Sequence, residues 1–225
     1  MLLTRRVAML SGTAVALAGC SDLIGPPPPR RIYVLRPDFT SLPQVPQATW
    51  ALSVALPVAP QSLDTERIAL VNAPNIMDYF ADAQWTDRVP VLLQSLLVDG
   101  FKASGRIVAV GRAGQGMNSD YELETEVYDF EAYYATPDTP PNITVKLGAT
   151  VVGSSNHEVA GTLRSAREAQ AAGNDLPSIT AAFSQAVAGA IEEIVTWSLR
   201  SVARPAGKVS EPAAMPPPEH HRHYR

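Results

Sequence analysis

Few side chains in this sequence have the type and spacing to do chemistry, and the first is its single cysteine, Cys20. It closes Leu17-Ala18-Gly19-Cys20, small residues that follow an apolar stretch from Val7 to Ala18 and a positive pair, Arg5 and Arg6. That order is the pattern of a secretory leader, here with its cut placed just before a cysteine, a lipobox. The chemistry expected of the thiol is therefore acylation, with residues 1–19 discarded as a signal peptide, Cys20 as the lipidation site and its new amino group acylated as well. Each buried methylene contributes about 0.8 kcal/mol, so one acyl chain holds weakly and two or more hold firmly. The apolar stretch itself spans only about 18 Å as a helix, short of the roughly 30 Å hydrocarbon core, and makes a poor permanent span.

Glu122, Glu124 and Glu126 are the next candidates. On a strand they share one face at steps of about 6.6 Å, a spacing that could hold a divalent cation or supply an acid and a base. No histidine or cysteine joins them in sequence, and Tyr121, Leu123, Thr125 and Val127 on the alternate positions supply a core face. The carboxylates therefore read as a solvated strand face, and no site is placed there. Gly111-Arg112-Ala113-Gly114-Gln115-Gly116 is glycine-rich but has neither the dinucleotide-binding spacing nor the Lys-Ser/Thr of a phosphate loop, so it reads as a hairpin loop. His157 is the one histidine ahead of the C-terminal tail; it falls in a turn, and no G-x-S-x-G elbow occurs. His220, His221 and His223 near the C-terminus lack the fixed geometry a metal site needs. No catalytic, cofactor-binding or metal-binding residue is assigned.

The elements that would carry these residues are legible from periodicity. Trp50, Leu52, Val54, Leu56 and Val58 alternate with small or polar residues, as in a strand with one apolar face. Residues 32–35 form a shorter strand before it, and residues 67–71 and 76–80 a hairpin around Asn72-Ala73-Pro74-Asn75. Val89, Leu92, Leu93, Leu96, Leu97 and Phe101 recur at steps of three and four, which predicts an amphipathic helix with Asp87 as N-cap, Pro90 in the first turn and Gly105 as the stop. Strands are expected over residues 106–110, 121–133, 142–152 and 157–167, and a second helix over residues 178–202. The order β-β-β-β-α-β-β-β-β-α predicts one α/β domain with a mixed sheet and two long flanking helices. Trp50, Trp85, Trp197 and Tyr133-Tyr134 read as core aromatics; only an exposed cluster would signal binding.

Composition narrows the function classes. With Arg5 and Arg6 removed in the leader and no acid lost, 16 basic residues face 22 acidic ones, a net charge near −6. The three lysines, Lys102, Lys146 and Lys208, lie far apart, so the phosphate-tracking stripe of a nucleic-acid binder is missing. Residues 20–30 hold the lipidated cysteine and a Pro-rich linker, expected to be a polyproline II stalk or a plain tether. Residues 31–203 are the folded domain, and residues 204–225 a disordered Pro- and His-containing tail. Ser21 stands where aspartate retains lipoproteins at the inner membrane, which favours the periplasmic face of the outer membrane.

Four segments together resemble the ABC-type transport auxiliary lipoprotein family: residues 28–35 (Pro-Pro-Arg-Arg-Ile-Tyr-Val-Leu), Tyr79 to Trp85, the helix Val89 to Leu97, and Ala181-Ala182-Phe183 through Ile194 to Trp197. The resemblance implies an anticodon-binding-domain-like fold and no catalytic residues. It also implies partners: an MCE-domain (mammalian cell entry) protein and an ABC permease and ATPase that move lipids between the two membranes, with this lipoprotein as the docking piece at the outer membrane. Whether it assembles with copies of itself is left open. The alternative is a lipid-binding carrier, which requires an apolar cavity. A periplasmic hydrolase, the third class, lacks a nucleophile constellation.

Overall fold

Leu123, Thr125 and Val127 are buried while Glu124 and Glu126 are exposed, and the same alternation on the neighbouring strands defines an inner and an outer face of one mixed sheet. The computed structural model describes residues 29–40, 45–72 and 76–202. The leader, Cys20, the linker through Pro28 and the tail lie outside the described residues.

The elements follow the expected order: β1 (Arg31–Tyr33), β2 (Ala51–Val54), β3 (Arg67–Asn72), β4 (Ile76–Trp85), α1 (Val89–Ser104), β5 (Ala109–Arg112), β6 (Tyr121–Tyr134), β7 (Asn142–Gly153), β8 (Val159–Gln170) and α2 (Leu176–Ser201). β6 organises the sheet. Along one edge it pairs antiparallel with β7, which pairs antiparallel with β8. Its other edge is divided between two parallel partners: β2 takes Tyr121 to Leu123, and β3 takes Ala132 to Tyr134. β5 extends the first lobe in parallel, while β4 and then β1 extend the second. Between the lobes, Val127 faces Leu147 and Asp129 faces Lys146, so Tyr128 is an extra residue in a β-bulge. Bulges bend a strand and increase its twist, which lets the two lobes diverge.

Several expected boundaries move. The strand expected to reach Val58 ends at Val54, because Pro57 has no N–H for the ladder; pairing resumes at Val58, whose N–H donates to Thr125 O. β4 continues to Trp85, held by β1 and β3 on its two sides. Asp87 does not cap α1: its Oδ1 accepts the Arg88 N–H, and Arg88 occupies the N-cap position with no side-chain bond to the first turn. Gly105 ends the helix in the left-handed conformation (φ 60°) as expected. α2 begins at Leu176, with Pro177 in its first turn and the Asp175 carboxylate accepting the Ser178 N–H at 2.9 Å.

The glycine-rich stretch is a crossover and not a hairpin loop. β5 and β6 both run parallel to β2 on its opposite sides, so the chain must return across β2. The return is tied there by Ala51 N–H to Asp120 Oδ2 (2.8 Å) and by Ser119 to Ser53 (2.9 Å).

Both helices pack on the sheet, α2 over β7 and β8 and α1 over β2 and β5, and they touch each other. Trp85, Phe130 and Phe183 meet at centroid distances of 5.1 to 6.1 Å beneath α2. Each buried aromatic of this size contributes about 1.5–3 kcal/mol. Trp50 is buried as expected, and Trp197 is half-buried over Gly161.

Candidate functional site

Two open grooves hold most of the polar groups that the fold concentrates. The first, of about 610 Å³, lies on the outer sheet face. β6 presents Glu122, Glu124 and Glu126 into it, as strand alternation requires. Glu122 accepts the Ser53 hydroxyl at 3.1 Å, and Glu126 accepts the Tyr128 hydroxyl at 2.5 Å.

The bulge gives this groove its character. Tyr128 turns onto Gly148 of β7, its Oη 2.9 Å from where a glycine Cβ would stand, so any side chain there would displace it. The Arg164 guanidinium lies 4.5 Å from the ring centroid, a cation–π contact from β8. Register explains the meeting: Glu126, Gly148 and Arg164 are opposite one another on three adjacent strands. Leu56 and Val58, 47 % and 70 % exposed, border the same hollow. Tyrosine and arginine beside exposed aliphatics are the composition of a protein-binding surface.

The second groove, of about 890 Å³, runs along α2 between the chain following β1 and β8. Small residues of α2, among them Ala181, Ser184 and Gly189, form its floor. The Arg36 backbone N–H donates to Ser184 Oγ at 3.1 Å. Arg167 pairs with Glu193 at 3.0 Å and donates to Gly189 O, and Ser165 also donates to Glu193. Burial, with help from the nearby Asp38 charge, raises the Glu192 carboxyl above its usual range.

The remaining candidates are dispersed. Glu122, Glu124 and Glu126 share the outer face as expected, and among the described residues no three His, Cys, Asp or Glu come together to hold a metal ion. His157 is an exposed turn residue at φ 56°, and its N–H closes the turn on Gly153 O. Cys20 and the tail histidines lie outside the described residues. Leu56 and Val58, expected on the apolar face of the strand with Trp50, Leu52 and Val54, are exposed instead, beyond the end of β2, and Tyr128 and Arg164 are not among the residues that the sequence singles out. One signal was present: the core positions on β6 run 123, 125, 127 and then 130, 132, a step of three that marks the bulge.

Comparison with known proteins matches the fold. The family of ABC-type transport auxiliary lipoprotein components matches residues 33–195. The crystal structure of protein XCC0632 from Xanthomonas campestris is 31% identical, with a TM-score of 0.70 over 75% of this chain and 94% of that one. A second crystal structure, of an uncharacterised protein, shares the fold at 14% identity and a TM-score of 0.59, over 74% of this chain and 97% of that one. The uncharacterised protein bll6063 of Bradyrhizobium diazoefficiens is 26% identical over 89% of this chain, which spans 53% of that relative's length. Among the described residues no helix is long and apolar enough to cross a membrane. On the family match across residues 33–195, which takes in most of the described fold, the chain belongs to the ABC-type transport auxiliary lipoprotein components.

Proposed function

We propose that this chain is the membrane-anchored docking component of an MCE-type ABC transporter that moves lipids between the inner and outer membranes. Residues 1–19 are its cleaved leader, Cys20 carries the acyl chains, residues 20–30 form the tether, residues 31–203 fold into the docking domain, and residues 204–225 trail from it. The observation that carries the reading is the family match over residues 33–195 directly downstream of Leu17-Ala18-Gly19-Cys20. The Ser21 position favours the periplasmic face of the outer membrane. Contact chemistry agrees with a docking role: the outer groove joins Tyr128, Arg164, Leu56 and Val58 to a row of carboxylates, a surface suited to a polypeptide bearing basic and apolar side chains. The partners in this reading are an MCE-domain protein and the ABC permease and ATPase.

The carrier reading has less support, because the two grooves found among the described residues are open and have charged margins, unlike an enclosed apolar chamber. The test is twofold. Wild-type protein enters the detergent phase on phase separation and Cys20→Ala does not. Crosslinked membranes yield an MCE protein with the wild type. Wild-type protein found in the aqueous phase with an unmodified thiol would reject the anchor, and crosslinks free of any transporter component would reject the docking role.

A further inference from the structure

The first described residues carry a pattern of their own, whose far end, Val34 and Arg36, borders the α2 groove. From Arg30 to Arg36 the burial alternates: Tyr33 is half-buried and Leu35 buried, while Arg30, Ile32, Val34 and Arg36 are exposed. Ile32 is 62 % and Val34 50 % exposed, large values for aliphatic side chains. Two aliphatics flanked by two arginines thus share one side of an extended segment about 20 Å long. Arg31 adds a third exposed cation at its start. Among the described residues none of these three guanidinium groups has a carboxylate partner.

This stripe starts on β1, which among the described residues pairs with β4 alone, and runs on into the chain that follows it. Its far end is pinned to α2 through the Arg36 backbone, so the segment is presented by the body of the domain and is no loose arm. Arg30 follows Cys20 by ten positions, a length of chain that can reach at most about 36 Å. A surface so tethered meets the bilayer at a high effective concentration, and a weak intrinsic affinity is then enough to hold it there.

We infer that the Arg30–Arg36 stripe is a membrane-contact surface, in which Ile32 and Val34 enter the interfacial layer and Arg30, Arg31 and Arg36 meet the phosphates of anionic phospholipid. The inference rests on the anchoring reading above and adds which edge of the domain faces the lipid. Arginines beside aliphatics match the chemistry of a phospholipid surface, where headgroup phosphate lies next to hydrocarbon. Leu56 and Val58, also exposed, lie among glutamates, the wrong charge for that surface. Asp38, Glu168 and Glu192 share the α2 groove with Arg36, and among the described residues none of them forms an ion pair with its guanidinium, so the positive charge is least opposed at Arg30 and Arg31.

The lone cysteine makes a clean experiment. Lipidated Ile32→Cys protein, reconstituted in vesicles of phosphatidylethanolamine and phosphatidylglycerol, is labelled at residue 32 with an environment-sensitive fluorophore, and Val108→Cys, also on an exposed position, serves as control. Brominated phospholipid should quench the probe at residue 32 and leave that at residue 108 unaffected. Equal quenching at both positions, or none at residue 32, overturns the inference. A second labelled thiol per chain, found by mass, would mean that Cys20 is free and that the anchor reading has failed. The surface is then decided by flotation of Cys20→Ser protein with the same vesicles. Co-flotation that falls about fivefold for each of Arg30, Arg31 and Arg36 changed to Gln supports it, and flotation absent or indifferent to those changes refutes it.

Discussion

Ile191 of α2 occupies the space that a side chain on Gly100 of α1 would need: its Cγ2 lies 2.5 Å from the position of a Cβ there. Glycine inside a helix costs up to about 1 kcal/mol relative to alanine, so Gly100→Ala would stabilise an isolated α1. In the folded domain the added methyl must push Ile191, a fully buried side chain, and overpacking of this kind costs about 1–3 kcal/mol. The second effect is the larger. Gly100→Ala is expected to lower Tm by several degrees, and the double variant with Ile191→Val should recover part of the loss. Calorimetry on the three proteins checks it.

Tyr128 is the centre of the outer groove, and its truncation separates binding from folding. The side chain is 40 % exposed and stands at a bulge, so Tyr128→Ala should change Tm little. If the groove receives a transporter component, losing a central aromatic weakens that contact about thirtyfold, the scale of an interface hot spot. Quantitative crosslinking of Tyr128→Ala against wild type is the measurement, and equal yields would remove the groove from the docking role.

Glu131 carries a stability signal that depends on pH. Burial first, and the Asp129 charge second, raise its carboxyl above the ordinary 4.5, with Lys146 opposing. An acid whose pKa is raised by folding destabilises the native state once pH exceeds the unfolded value, because the charge is then less welcome in the native state. Glu131→Gln should therefore be more stable than wild type at neutral pH, the difference shrinking as pH falls towards 4.5 and vanishing below it. Denaturant melts at several pH values test both sign and window.

Asp175 works in the opposite sense. The Ser178 hydroxyl and then its N–H hold the carboxyl below the ordinary 3.8. That contribution is present above the unfolded pKa and disappears as pH falls through the lower native one. Asp175→Ala should melt a few degrees below wild type at neutral pH, and the two curves should converge in strong acid. A gap that persists at low pH would mean that the cap acts through something besides its charge.

Element order was legible because period two and period three to four each leave their mark along a chain, as Leu123-Thr125-Val127 and Leu93-Leu97-Phe101 do. Partnership was not legible. Nothing local to Leu52 or Leu70 says that both will lie against β6, since parallel pairing is decided by which faces need covering once the helices are in place. Asp87 is not the cap of α1 because it bonds the adjacent Arg88 N–H, and the first turn is met instead by the Thr65 carbonyl, which accepts the Val89 N–H. The outer groove stayed hidden for a related reason: Glu126, Gly148 and Arg164 are far apart in sequence, and only the strand register brings them level.

The division of one strand's edge between β2 and β3 has a mechanical consequence. Both lobes hang from β6 by separate short ladders, β2 along Tyr121 to Leu123 and β3 along Ala132 to Tyr134, so a pull on either is borne first by its own seam. A docked partner tugging on one lobe would load that lobe's seam alone, while the long β6–β7–β8 ladder stands behind both as the common frame.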